Sequence, residues 1–301
     1  MPERPTLRQL EYFLAIRETL NFRAAAEACF VTQPALSTQL QQLERRLGVQ
    51  LFERDKRSVR PTAAGERLAT QAQEILSRVD VFIEEAQTER PPLSGELSLG
   101  VIPTVAPYLL PRLLGPLRER HPELRLFLHE AQTQDLVQRA LEGELDVLLL
   151  ALEADLRGLQ TEALFSDPFL VALPPGHPLT GEELVRLGQL DGEPMLLLEE
   201  GHCLRDQSLP ACEAAGSYEL DAYRASSLGT LVQMVAGGLG LTMLPEIAVA
   251  LESRAGEGVV VRELESDGPS RTIGLAWRSA SVRGEEFRAL ADSLRAIYAA
   301  S

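Results

Sequence analysis

The hydrophobic period of this 301-residue chain changes at Pro91-Pro92, and that change divides what it can fold into. Before the prolines lie helical patterns and one short hairpin-like stretch; after them, strand-like runs alternate with helical ones. The segment leading up to them carries Leu68, Ala72, Ile75, Val79, Phe82 and Ala86, spaced 4, 3, 4, 3 and 4. An apolar residue every 3.5 positions is the seam of a coiled coil. Pro61-Thr62 starts this helix and Pro91-Pro92 stops it. A seam on a helix between two other domains calls for a partner helix, so residues 63–89 are expected to hold a dimer together.

Upstream, Thr6-Leu7-Arg8-Gln9 reads as a capping box, with Thr6 at the N-cap and Gln9 at N3. Leu10, Phe13, Leu14 and Leu20 follow along one stripe. Asn21 caps a short second helix containing Arg23, Ala24, Ala25, Ala26, Ala28 and Cys29, the cysteine read as core packing. After a turn through Phe30 and Val31, Thr32 caps a third helix with Pro34 near its start. Leu36, Leu40, Leu43 and Leu47 line that helix and Gly48 ends it. Two short helices across a tight turn, the second polar outward, make a helix-turn-helix. Thr32, Gln33, Pro34, Ser37, Thr38 and Gln41 then lie at the exposed start of a recognition helix, within reach of base edges and phosphates. The stretch 51–60 brings Arg54, Lys56, Arg57 and Arg60 toward the DNA backbone or minor groove.

The charge distribution supports that division. The net charge is -15, yet residues 1–62 carry +3, residues 63–90 carry -3 and residues 91–301 carry -15. A basic head on an acidic body fits a polyanion bound by the head alone.

Beyond Pro92, strand-like runs occur at 97–101, 124–128, 146–150, 169–173, 195–198, 241–244, 259–261 and 272–277, with helical patterns at 109–117, 136–141, 228–235 and 287–297. The alternation implies an α/β domain with largely parallel sheets, and its length implies two lobes around a cleft. No apolar run reaches the ~18 residues of a membrane span, and Glu3, Arg4, Arg8, Glu11, Arg17 and Glu18 leave no uncharged core for a signal peptide. A cytoplasmic protein with no membrane partner is expected. Three cysteines make no secreted disulfide framework, so a disulfide here would be redox-active. No Cys/His spacing indicates zinc, and Gly237-Gly238-Leu239-Gly240 follows a helix and enters a strand, the wrong order for a dinucleotide loop. No metal and no cofactor are expected.

Residues 24–65 resemble the winged helix-turn-helix of LysR-type transcriptional regulators. The likeness is carried by Ala25-Ala26, Gln33-Pro34-Ala35-Leu36-Ser37, Leu43-Glu44, Leu47-Gly48, Leu51-Phe52-Glu53-Arg54 and Thr62-Ala63-Ala64-Gly65. The resemblance implies an α-rich winged helix-turn-helix over 1–62, a dimerising linker helix over 63–90 and an α/β effector domain over 91–301. That domain would be two-lobed like a periplasmic binding protein, one lobe comprising 91–167 with 268–301 and the other 168–267. A narrower likeness is to the peroxide-sensing branch. It rests on Gly100-Val101-Ile102-Pro103-Thr104-Val105, His129-Glu130-Ala131-Gln132-Thr133, Gly201-His202-Cys203-Leu204-Arg205-Asp206-Gln207, Cys212 and Arg271-Thr272-Ile273-Gly274-Leu275.

This second resemblance implies that Cys203 is oxidised and that Cys212, nine positions on, resolves it as a disulfide. Thr104 and Thr133 would hold the peroxide, while His202, Arg205, Asp206 and Arg271 would bind it or stabilise the thiolate. The implied molecule is a homotetramer built from two dimers that binds double-stranded operator DNA. It would act mainly as an activator of oxidative-stress genes, engaging RNA polymerase and a thiol reductant such as glutaredoxin or thioredoxin, and would not be an enzyme.

Each residue also has a plainer reading. A helix start or a nearby cation favours the reactive thiolate of Cys203, but a lone cysteine is ordinarily inert core. Thr104 and Thr133 would serve equally as N-caps, and Arg271 as a surface salt bridge. His121 and His177 precede prolines and read as turn residues; His129 takes no assignment. If 203–212 is one continuous helix, the cysteines stand ~13 Å and half a turn apart. A disulfide spans at most about 7 Å between Cα atoms, so bridging demands local refolding, and Pro210 lies within the segment concerned. Two other functions stay open: a LysR-type regulator that binds a small metabolite in the cleft, indifferent to Cys203→Ser, and a thiol peroxidase recycled by a reductase.

Overall fold

Local capping chemistry sets the N-terminal helices. In the computed structural model, which describes residues 4–55, 58–86, 91–255, 258–265 and 268–300, the chain divides into units Met1–Thr88 and Glu89–Ser301. Helix α1 (Leu7–Thr19) starts at a reciprocal box: Gln9 N donates to Thr6 Oγ1, and Thr6 N donates to Gln9 Oε1, both at 3.2 Å. Helix α2 (Phe22–Ala28) starts at Asn21, whose Oδ1 accepts from Arg23 N and Ala24 N. Cys29 is the C-cap of α2 rather than part of it, half-buried against the core. Helix α3 (Gln33–Leu47) has Thr32 at its N-cap and Pro34 in its first turn, but Thr32 makes no side-chain cap bond, against the sequence expectation. Gly48, at φ 70, ends α3 and returns its N–H to Glu44 O.

Strands β1 (Phe52–Asp55) and β2 (Ser58–Pro61) pair antiparallel. Helix α4 (Ala63–Ala86) follows, and its first turn is pinned by Gly65, where a Cβ would lie 2.2 Å from Leu51 O. Phe13, Ile16, Leu36, Leu40, Leu43 and Phe52 form the core of this unit, and Ala69 and Ala72 of α4 close it. Ala72 therefore belongs to the head rather than to a seam, with Leu68 packed beside it. Farther along α4, Ile75, Phe82 and Ile83 are 47%, 71% and 49% exposed. The apolar stripe read as one seam has two uses: its beginning packs the head, while Ile75 and Phe82 farther along are exposed and Val79 between them is half-buried.

The second unit begins with β3 (Gly95–Val101), α5 (Ala106–Arg120), β4 (Leu124–Glu130), α6 (Thr133–Glu142) and β5 (Val147–Ala151). Strand β3 lies parallel to both β4 and β5. All five residues of β5 are buried, the continuous apolar run of a strand covered on both faces. Next come β6 (Leu159–Leu173), β7 (Leu184–Val185), β8 (Pro194–Leu198), α7 (Cys203–Ala215), β9 (Tyr218–Ala225), α8 (Leu228–Ala236), β10 (Thr242–Pro245), α9 (Glu246–Ala255), β11 (Val260–Leu264), β12 (Ser270–Arg278) and α10 (Gly284–Ala299).

The main sheet has the order β4-β3-β5-β12-β6-β11-β7, with β10 also on β6, and β8 pairs β9 in parallel apart from it. The expectation of largely parallel sheets needs correction. Strand β12 is antiparallel to β5 and β6, and β10 and β11 are antiparallel to β6. The cause is the length of β6. Its residues 159–168 pair with β12 and its residues 169–173 with β10 and β11, so it carries the chain from one group of strands to the other. Among the described residues no helix is long and apolar enough to cross a membrane.

Candidate functional site

The loop between β8 and α7 delivers Cys203. Gly201, at φ 93, makes the turn in a left-handed conformation that would strain any other residue, and a Cβ there would also force the Gln132 side chain to move. His202 occupies the N-cap position and Cys203 the first helical position of α7. Cys203 is 9% exposed and Cys212 1%; both are free thiols. Burial pushes the Cys203 thiol up. Opposing that, the Thr133 hydroxyl donates to its sulfur, Arg271 attracts the thiolate and the Leu204 amide donates to it, while the charge of Asp206 works against ionisation. Burial raises Cys212 to about 11, with little to offset it beyond Ser217.

Arg271 is wholly buried, which removes the alternative of a surface salt bridge. Its Nε donates to Asp167 Oδ2 at 2.9 Å, and its two terminal nitrogens donate to Thr104 Oγ1 at 2.9 Å and Thr104 O at 3.1 Å. Asp167 sits directly opposite Arg271 in the β6–β12 register and also accepts from Ile247 N at 3.1 Å, at the start of α9. Neither threonine is an N-cap: Val105 and Gln132 hold those positions on α5 and α6. Thr104 instead accepts from Arg271, which leaves its own proton available for another acceptor.

Three expected helpers of the thiolate act differently. The Arg205 guanidinium forks onto Glu219 at 2.5 and 2.7 Å and touches Leu198 O, so a carboxylate already balances its charge. That pairing holds the Glu219 carboxyl below the usual range. His202 is buried, and burial lowers its pKa, favouring the uncharged ring. Asp206 is exposed and raises the Cys203 pKa. The side chains that favour the Cys203 thiolate are thus Thr133, by hydrogen bond, and Arg271, by its charge, with Thr104 held on Arg271.

The structure gives contacts to residues that the sequence reading assigned no role. Asp167 is one, legible only as a lone acid inside an apolar strand pattern. Gln207, on α7, donates from Nε2 to Glu153 Oε2 at 3.3 Å, and Glu153 Oε1 accepts from Thr272 N at 2.6 Å. The Gln207 Oε1 atom is buried without a partner. Ser217 Oγ donates to Cys212 O at 2.8 Å, fixing the far end of α7. The cysteines lie on one continuous helix, hence ~13 Å and half a turn apart. No disulfide can close without unwinding α7. Pro210 sits inside that helix and offers no N–H to the carbonyl of Asp206. Among the described residues there is no cluster of three or more side chains suited to a metal ion.

In the first unit, Thr32, Gln33, Pro34, Thr38 and Gln41 are exposed along the start of α3, and Ser37 is half-buried. Thr38 Oγ1 donates to Pro34 O at 2.8 Å. Arg60 is exposed on β2 and Arg54 lies on β1. Lys56 and Arg57 lie outside the described residues. The polar face presented by α3 has the composition and placement of a recognition helix.

Comparison with known proteins accounts for both units. Residues 7–66 match the family described as bacterial regulatory helix-turn-helix protein, lysR family, and residues 90–299 match the LysR substrate binding domain. The DNA-binding transcriptional dual regulator OxyR of Escherichia coli K12 is 43% identical over 290 residues, covering 96% of this chain and 95% of that protein. The structure of a full-length cysteine-to-aspartate variant of OxyR from Pseudomonas aeruginosa superposes with a TM-score of 0.76 at 37% identity, covering 97% of this chain and 98% of that one. A cysteine-to-serine variant of Corynebacterium glutamicum OxyR with hydrogen peroxide bound gives 0.68 at 36% identity, covering 100% and 94%. The chain belongs to the lysR family of bacterial helix-turn-helix regulators and, within it, groups with OxyR.

Proposed function

We propose that this chain is a hydrogen-peroxide-responsive transcriptional regulator, mainly an activator of oxidative-stress genes, switched by Cys203. One observation carries the reading: Cys203 begins the helix that also holds Cys212, and its thiolate is favoured by the Thr133 hydroxyl and the charge of Arg271. In the first step the Cys203 thiolate attacks one peroxide oxygen and the O–O bond breaks. The sulfur becomes a sulfenic acid, and the other oxygen leaves as hydroxide, protonated to water. Thr104 and Thr133 orient the peroxide, and Arg271 stabilises the negative charge that moves from sulfur to oxygen. In the second step the Cys212 thiolate attacks the Cys203 sulfur, an S–S bond forms and the sulfenic hydroxyl leaves as water. Two electrons pass from the two thiols to peroxide, and a dithiol reductant such as glutaredoxin or thioredoxin restores them.

The head binds a double-stranded operator through the start of α3, with Arg54, Lys56, Arg57 and Arg60 on the backbone. Residues 63–89 join two copies and two dimers form a tetramer; the exposed Ile75, Phe82 and Ile83 support that assembly. Refolding of 203–212 re-spaces the heads and changes the encounter with RNA polymerase. The test is DNA footprinting of reduced and peroxide-treated protein beside Cys203→Ser. The footprint should change with peroxide in the natural protein and stay fixed in the variant. A peroxide response retained by Cys203→Ser would reject the reading, and a footprint that answers only to a small metabolite would favour a ligand-responsive regulator.

A further inference from the structure

Phe30 is 95% exposed, more than any other large hydrophobic side chain among the described residues. Its φ is 55, a left-handed conformation that glycine or asparagine adopts readily and that strains a bulky side chain. The backbone of this turn is bonded without help from the ring: Cys29 N donates to Ala25 O, Phe30 N to Glu27 O and Val31 N to Ala26 O. Neither packing nor the turn itself therefore uses a phenylalanine here. The ring stands two residues before Thr32, the N-cap of α3, whose next residues Gln33 and Pro34 are exposed.

We infer that Phe30 is an apolar DNA contact, its ring packing on a deoxyribose or a thymine C5-methyl at the rim of the groove that α3 enters. This rests on the DNA-binding reading above. In that reading the start of α3 lies in the major groove, so a side chain in the turn leading into it meets the groove edge. The apolar surfaces there are sugar carbons and thymine methyls. The ring is exposed, as Thr32, Gln33 and Pro34 just after it are, on a segment whose net charge of +3 draws in the polyanion. A ring neutralises no phosphate, so its share of the affinity should not depend on salt.

The test is duplex binding by the full chain across a series of salt concentrations, comparing the natural protein with Phe30→Asn, Gln33→Ala and Arg60→Ala, alongside melting temperature. Phe30→Asn should melt no lower than the natural protein, because asparagine suits the left-handed turn and the ring has no core contact to lose. It should bind operator DNA about tenfold more weakly, with an unchanged slope of log affinity against log salt. Arg60→Ala, by contrast, should flatten that slope. Natural affinity in Phe30→Asn while Gln33→Ala loses specific binding would overturn the Phe30 contact and leave DNA recognition intact. Natural DNA affinity with lost transcriptional activation would also overturn it, in favour of a protein partner at the ring. A lowered melting temperature would assign the ring to the fold instead. A natural protein that binds no duplex at all would overturn the DNA reading and the Phe30 contact with it.

Discussion

At the residue scale, Cys203 is a thiol on which burial and polar neighbours pull in opposite directions. Burial raises its pKa; Thr133, Arg271 and the Leu204 amide lower it. Removing a group that lowers the pKa must raise it, so Thr133→Val and Arg271→Gln should each move the pH profile of Cys203 alkylation upward. At neutral pH the rate should fall by about three- to tenfold, since one pKa unit is a tenfold change in thiolate. Alkylation kinetics in a Cys29→Ser, Cys212→Ser background would read this directly, and an unmoved profile would remove the two residues from the site. Asp167→Asn belongs to the same cluster but acts on stability. It leaves a wholly buried Arg271 without its carboxylate, which should cost about 3–5 kcal/mol. Asp167→Asn with Arg271→Gln should recover much of that, as thermal unfolding would show.

The sequence motif pointed to Cys203 and to Arg271, but neighbours in sequence proved poor guides to neighbours in space. Arg205 is two residues along an α-helix from Cys203, hence roughly 200° around it. It faces Glu219 instead of the thiol. Arg271 and Thr133 are distant in sequence and arrive through strand pairing and a helix start, which no local spacing reveals.

At the element scale, the proposed disulfide requires that α7 hold the reduced form and still come apart. Arg205–Glu219, Gln207–Glu153 and Ser217–Cys212 tie it down along its length. Pro210 weakens its middle by withholding one backbone bond, a defect worth up to about 3 kcal/mol. Pro210→Ala should therefore stabilise reduced α7 and slow disulfide closure by about tenfold or more, with peptide-level hydrogen exchange rising in protection over 203–215. Equal protection and equal closure rates would mean that α7 opens elsewhere.

For α4, the 3.5-residue period was legible in the sequence, but its division of labour was not. Ala72 looks like a seam residue from spacing alone, and only the packed head shows that it is already covered. The outward pair Ile75→Asp and Phe82→Asp should yield folded protein that dissociates into monomers by analytical ultracentrifugation. An unchanged association state would put the interface elsewhere. Strand β9 escaped the sequence reading because its pattern of mostly exposed residues lacks a buried stripe to betray it.

At the scale of the whole molecule, charge and period divide the sequence into 1–62, 63–90 and 91–301, whereas the structure forms two units, Met1–Thr88 and Glu89–Ser301. The change of period is physical: a helical head buries one stripe per helix, whereas a covered sheet buries whole runs such as β5. The mixed direction of the sheet was not legible, because apolar runs record burial and not the sense of pairing. Strand β6 decides that sense through its length, and its first half alternates too weakly to be read as strand.

If one thiol pair within one chain converts peroxide into a change at the DNA, the bond and the changed footprint must appear together. Peptide mass spectrometry of the natural protein after a brief, low dose of peroxide, run beside the footprint, reads both. A Cys203–Cys212 bond within single chains should form as the footprint changes, with Cys29 still reduced. A changed footprint in protein that carries no Cys203–Cys212 bond would rule out the disulfide as the switch.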